Sequence, residues 1–263
     1  MPDDEGVMMS TSAPSVQLYT VREALASDLP GTLDALAALG FTLVEPFGLP
    51  DMVDRLGPEL KRLGLSAPTT HAGFVDADAA GRARVFDAAE KIGVRTVIDP
   101  FIPPERWQSA DDVREIAARL DAAAGEAADR GLRVGYHNHA HELASTIDGV
   151  PALEFFAGIL DERVVLEVDT YWALVGGVDP AGLLQRLGER VVAIHVKDGP
   201  VPGDVADQTP LGQGSVPIRD ILAAAPNALR VLELDESRMP PLDALAESLQ
   251  YLRTLESDAE SAR

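Results

Sequence analysis

The chain has 263 residues, 46% hydrophobic and 25% charged, and no cysteine. The lack of thiols excludes disulfides, thiolate metal sites and a cysteine nucleophile, so a bound metal has to rest on histidine and carboxylate ligands. A formal net charge of −21 repels phosphate backbones and argues against a nucleic-acid partner.

Residues 1–15 are acidic and then rich in Ser, Pro and Ala, without the basic start and apolar stretch of a signal peptide. They read as a disordered tail. From Val16 onward, short β-branched runs alternate with Ala/Leu-rich helical patterns. The first strand is expected over Val16–Val21. A helix follows from about Asp28 to Leu39, closed by Gly40. Strand 2 is Thr42–Glu45, with a helix over Met52–Leu63. Strand 3 is expected over Ser66–His71 despite Pro68, with a helix over Asp78–Ile92. Strand 4 is Arg95–Ile98, followed by a long helix from Ala110 to Arg130 capped by Ser109. Strand 5 is Arg133–His137, with a helix over Val150–Leu160. Strand 6 is Val164–Val168, where Glu167 interrupts an apolar run, and its helix is Pro180–Leu187. Strand 7 is Val191–Val196, with a helix over Ile218–Ala224. Strand 8 is Arg230–Leu234, and the last helix is Leu242–Leu255.

Eight strand–helix units fill the chain and leave no segment for a second domain. Alternating β and α elements argue a parallel sheet, and eight of them argue closure into a single (β/α)8 TIM barrel over residues 16–263, a fold that takes about 250 residues. No glycine-rich turn follows the first strand, which counts against an open dinucleotide-binding sheet. No apolar run reaches the ~20 residues needed to span a bilayer, so neither a membrane partner nor a location outside the cytoplasm is expected.

Functional groups in such barrels stand at the C-terminal ends of the strands. Glu45 ends strand 2 and His71 ends strand 3. Strand 5 ends in Tyr136-His137-Asn138-His139, with His141 and Glu142 close behind. Asp169 follows strand 6, His195 and Lys197 mark strand 7, and Glu233 stands on strand 8 with Asp235 beyond. All five histidines fall at or just past strand ends, and none is expected on a helix. Glu142, Asp169, His195 and Glu233 come from four successive units and would meet at the barrel mouth. Three carboxylates and one imidazole make a hard, oxygen-rich site suited to one divalent ion, Mn²⁺, Mg²⁺ or Co²⁺, with Zn²⁺ as the alternative. A cation also removes the cost of converging negative charge.

The chain resembles the sugar phosphate isomerase/epimerase group of the xylose isomerase-like barrel superfamily. The resemblance rests on Gln17-Leu18-Tyr19-Thr20, Val44-Glu45, Tyr136-His137-Asn138-His139 with Glu142, Asp169-Thr170-Tyr171-Trp172, His195-Val196-Lys197-Asp198, the Gly212-Gln213-Gly214 turn and Glu233. It implies that Glu142, Asp169, His195 and Glu233 hold the metal, and that Glu142 and Glu233 face each other across the substrate and exchange protons with a carbon next to a carbonyl. The strand 5 ligand is either Glu142 or His137. His71, His137 and His139 hold sugar hydroxyls or support the ligands. Glu45 binds a hydroxyl or orients a histidine. Lys197 either steadies an enediolate or pairs with an acid such as Glu167 or Glu233. Trp107 and Trp172 are expected to wall the site, with packing as the other reading for Trp172, and an exposed loop at Trp107 is a candidate for homo-oligomer contact.

The implied function is a metal-dependent isomerase or epimerase of a sugar or polyol-derived ketone. A lyase of the inosose dehydratase type starts from the same proton abstraction. Trp172 and the Lys197-Asp198-Gly199 stretch depart from the ketohexose 3-epimerase pattern, which has a histidine and an arginine there. A DNA-repair role would need a basic groove and more ligands. A non-catalytic sugar-binding barrel is opposed by the complete ligand set.

Overall fold

In the computed structural model, which describes residues 13–261, eight parallel strands form one sheet. They are β1 (Ser15–Gln17), β2 (Leu43–Glu45), β3 (Thr69–His71), β4 (Thr96–Asp99), β5 (Arg133–His137), β6 (Val165–Asp169), β7 (Val191–Val196) and β8 (Leu229–Leu232). Except for β2 and β3 with one another, each pairs in parallel with its neighbour in chain order, and β8 pairs with β1. Isolated parallel bridges Leu43–Ser66 and Phe47–His71 join the β2 segment to the β3 segment and nearly close the barrel. The expected fold is therefore the observed one.

The helices start where short polar side chains replace missing backbone partners. Asp28, Asp78, Ser109 and Asp179 accept from the backbone N–H of Gly31, Gly81, Asp112 and Gly182. Gly64 (φ 66°) and Gly93 (φ 79°) end two of them in the left-handed conformation.

Several boundaries differ from expectation. β1 stops at Gln17, because Leu18–Val21 turn into a 3₁₀ helix once Gln17 accepts from the Tyr19 N–H. Ser15, expected in the tail, belongs to β1, and the remainder of the expected tail up to residue 12 lies outside the described residues. β3 begins only at Thr69, after Pro68. Short helices at Arg22–Ser27, His141–Ala144 and Thr170–Val175 and a small hairpin at Thr146–Ile147 and Val150–Pro151 escaped the sequence reading. They are too short for a periodic signal. His141 consequently opens a helix, contrary to the expectation that no histidine would lie on one.

The alternation of strand side chains sorts the core. Val16, Val44, Val134, Leu166, Val168, Ile194, Val196 and Leu232 point toward the helices and join the main apolar core. The alternate positions line the barrel's inside. Gly135 is small there because a Cβ would stand 2.7 Å from both the Val165 carbonyl oxygen and the Ile98 side chain. One layer further toward the C-terminal ends, the inward residues are Gln17, Glu45, His71, His137, Glu167 with Asp169, His195 with Lys197, and Glu233, all buried. The register sets Gln17 beside Glu45, His137 beside Glu167, and Asp169 beside His195. A polar layer thus caps the barrel where a fully structural one would be apolar.

Candidate metal centre

Two groups of donor atoms share His195. Asp169, His195 and Glu233 form one, and His71, His137, Glu167 and His195 form the other, with donors in each group within 4.8 Å of one another. His195 connects them through its two ring nitrogens: Nδ1 lies 2.6 Å from Glu233 Oε2, and Nε2 lies 2.7 Å from Glu45 Oε1 and 3.0 Å from Glu167 Oε1. His137 connects them as well, with Nδ1 3.1 Å from Glu167 Oε1 and Nε2 3.7 Å from Asp169 Oδ2. His71 Nε2 is 2.5 Å from Glu167 Oε1. Gln17 donates to Glu45 Oε1 at 2.8 Å.

Lys197 is buried beneath the acids, its ammonium 2.7 Å from Glu233, 2.8 Å from Asp235 and 2.9 Å from Asp169. Burial works against its charge, but Asp169, Asp235 and Glu233 outweigh it and hold the amine well above the usual lysine range. Burial would likewise raise Glu233, yet Lys197 and His195 keep its carboxyl well below the usual range. Burial pushes Asp169 up to about 6 against the pull of Lys197 and His195. His195 is raised well above an ordinary imidazole, since Glu167, Glu233 and Glu45 overcome the burial that opposes its charge. His137 goes the other way, lowered by burial and by His195.

A divalent cation fits this donor set. The buried oxygens Asp169 Oδ2, Glu167 Oε2 and Glu45 Oε2 lack a hydrogen-bond donor, which is costly for carboxylates away from water. For Asp169 the Lys197 ammonium is close at 2.9 Å, but not aligned as a hydrogen bond. Imidazole and carboxylate without thiolate suit Mn²⁺, Mg²⁺, Co²⁺ or Zn²⁺.

A cavity of about 540 Å³ opens over the cluster, and His71, His137, His139, Trp172, Glu233 and Asp235 are on its walls. Tyr19, Phe47 and Phe101 add aromatic surface at its side, and Tyr19 meets Phe47 edge-on with centroids 5.3 Å apart.

The structure gathers Asp169, His195, Glu233, His71, His137, Glu45 and Lys197 in one buried cluster, and puts His139 and Trp172 beside the cavity. It does not bring Glu142 there. Glu142 accepts the Tyr136 hydroxyl at 2.6 Å and the His139 N–H at 2.8 Å, and His141 Nε2 lies 3.1 Å away. The chain turns out of β5 after His137, so Glu142 braces the loop from below, and His137 is the strand 5 donor that meets Asp169. Trp107 is also displaced from its expected place. It is fully buried, donates to the Ile102 carbonyl at 3.2 Å and packs on Tyr136 and Phe156 with centroids 5.3 and 5.2 Å apart. It therefore neither walls the cavity nor offers an exposed contact. Lys197 does not line the cavity; its charge is spent on three carboxylates.

Asp235 has no role in the sequence reading, and Glu167 has one only as a possible partner of Lys197, which instead pairs with Asp169, Glu233 and Asp235. Glu167 stands two residues before Asp169 on an apolar strand, so both point inward. That spacing was the available signal. Asp235 is held by Gln208, which donates to its carboxylate at 2.9 Å.

Residues 33–255 match the family model for the xylose isomerase-like TIM barrel. Among curated proteins, inosose dehydratase of Geobacillus kaustophilus (strain HTA426) is 35% identical over 93 residues, which cover 35% of this chain and only 27% of that protein. Among solved structures, a sugar phosphate isomerase/epimerase from Parabacteroides distasonis ATCC 8503 superimposes with a TM-score of 0.79 at 21% identity, covering 95% of this chain and 96% of the other. A xylose isomerase-like TIM barrel protein from Mycobacterium smegmatis in complex with magnesium gives 0.71 at 17% identity, covering 96% and 99%. At such identities the structural likenesses speak for the fold, while the family match extends over most of the sequence, and the chain belongs to the xylose isomerase-like TIM barrel family.

Proposed function

We propose that this protein is a divalent-metal-dependent isomerase or epimerase of a sugar or polyol-derived ketone, with His137, Asp169, His195 and Glu233 as the metal-holding residues. The observation that carries the reading is the convergence of Asp169, His195 and Glu233, with His137 Nε2 3.7 Å from the undonated Asp169 Oδ2, under a cavity wide enough for a small polyol. A bound cation would polarise the substrate carbonyl and acidify the neighbouring C–H. The protein's own residues do the rest. Glu233 is a carboxylate at neutral pH and faces the cavity, so it takes the proton. Lys197 keeps Glu233 and Asp169 charged. His71 and His139 offer ring nitrogens to hydroxyl groups, and Trp172 gives an apolar face to a sugar ring.

With Glu142 displaced, the second proton-transfer group has to come from the cavity wall, where His139 and Asp235 stand. That asymmetry favours one further reading, elimination of water or another group β to the ketone, since elimination needs one base and a separate acid for the leaving group. The partial match to inosose dehydratase supports the same alternative.

Elemental analysis of the purified protein tests the centre. About one Mn, Mg, Co or Zn per chain is expected, lost in Asp169→Asn, His195→Ala and Glu233→Gln and kept in Glu142→Gln. Retention of no metal, together with no thermal stabilisation by added divalent ions, would sink the proposal. With the metal supplied, keto-sugars and inososes incubated in D₂O separate the reactions: exchange beside the carbonyl with isomer formation supports the first reading, and loss of water supports the second.

A further inference from the structure

We infer that Glu167 is a positioning residue that fixes which ring nitrogen each of two histidines presents to the metal-holding group. The inference rests on the metal reading above and concerns a residue outside its ligand set. Glu167 Oε1 is 3.1 Å from His137 Nδ1, 3.0 Å from His195 Nε2 and 2.5 Å from His71 Nε2. An ionised carboxylate only accepts, so each nitrogen facing it has to carry a proton. His137 is thereby held as the tautomer protonated on Nδ1, and its free Nε2 lone pair is directed to Asp169 Oδ2 at 3.7 Å. For His195 the arrangement is reversed. Its Nε2 faces Glu167 at 3.0 Å and Glu45 Oε1 at 2.7 Å and its Nδ1 faces Glu233 at 2.6 Å, so both carry protons in the metal-free protein, and Nδ1, on the Glu233 side, is the nitrogen that a metal would deprotonate.

The two histidines thus use opposite nitrogens for the same purpose. β5 and β7 lie on either side of β6, and Glu167 stands on β6 between them. One carboxylate on the middle strand can reach both rings from the barrel's inside. Glu45, held by Gln17, repeats the contact to His195 from β2. Partners of this type orient metal-binding imidazoles and typically contribute about 10–100-fold in metal affinity.

Nitrogen-15 labelling of histidine, with spectra that correlate ring protons with ring nitrogens, reads the tautomers directly. Single histidine variants assign the signals. In the metal-free protein His137 is expected to be protonated on Nδ1. With Zn²⁺ added, His137 should bind through Nε2 and His195 through Nδ1. The opposite tautomer of His137, or zinc on the opposite nitrogen of either ring, overturns the inference, and neither measurement requires a variant of Glu167 to fold. In Glu167→Gln, competition with a chelator should show about 10–100-fold weaker zinc, still one ion per chain at saturation, with a mixture of His137 tautomers. Unchanged affinity and an unchanged tautomer would refute it. So would zinc abolished by Glu167→Gln but kept in Asp169→Asn and Glu233→Gln, because the ion would then sit among His71, His137, Glu167 and His195. Failure of the wild type to bind zinc counts against the proposed function alone, since the metal-free His137 tautomer still decides this inference.

Discussion

His139 shows how burial turns one side chain into a pH-sensitive element. Its Nδ1 is buried without a hydrogen-bond partner, and burial lowers its pKa to about 4. The folded protein therefore favours the neutral ring, while the unfolded chain protonates near 6.5. Its contribution is fully present above that value and is lost as pH falls toward 4. The shift corresponds to stability on the order of 3 kcal/mol. Thermal melts of the metal-free protein between these limits should show a steep decline that flattens in His139→Gln; equal slopes would remove His139 as the cause. Trp107 is a contrasting residue, wholly enclosed by Tyr136, Phe156 and His141. Trp107→Ala should cost about 3–5 kcal/mol in urea unfolding and leave metal affinity unchanged. A change in affinity would return Trp107 to the site.

Among the elements, the segment after β7 depends on one carboxylate. Asp198 accepts the backbone N–H groups of Gly199 and Gly212 at 2.8 Å, Gly214 at 3.0 Å and Val216 at 3.1 Å. The Gly212-Gln213-Gly214 turn is small for this reason. A Cβ on Gly214 would stand 2.1 Å from Asp198 Oδ1, and one on Gly212 would stand 2.3 Å from the Tyr251 ring. The same segment carries Gln208, which donates to Asp235 and in turn accepts its N–H. Asp198→Asn puts an amide against donors and should lower stability by on the order of 3 kcal/mol. Denaturant titration showing no more than the small change of an ordinary surface substitution would contradict the role.

For the whole molecule, a charge of −21 sets the response to salt. Exposed pairs such as Arg82–Glu126 and Arg163–Asp161 weaken as salt rises, but each is worth only about 0–1 kcal/mol. Repulsion among the excess acids is spread over the surface and is screened as the Debye length falls from ~30 Å at 0.01 M to ~8 Å at 0.15 M. The melting temperature should rise over that range. A fall would mean that the ion pairs dominate.

The sequence by itself determined the barrel, because strand alternation, helix caps and glycine stops are local signals that repeat through the chain. It also placed His71, His137, Asp169, His195 and Glu233 at strand ends, where the barrel's geometry brings them together. Short helices were not legible, since one turn has no period to detect. Only the tertiary structure showed His137 inside the buried cluster and Glu142 outside it, because that depends on where the chain leaves β5 and on the Tyr136 hydroxyl that captures Glu142. It alone placed Trp107 in the core and showed Lys197 enclosed by three acids. Glu167 was visible as a polar residue in an apolar strand, but its three imidazole neighbours come from β3, β5 and β7, and contacts between residues so far apart in sequence exist only once the barrel has closed.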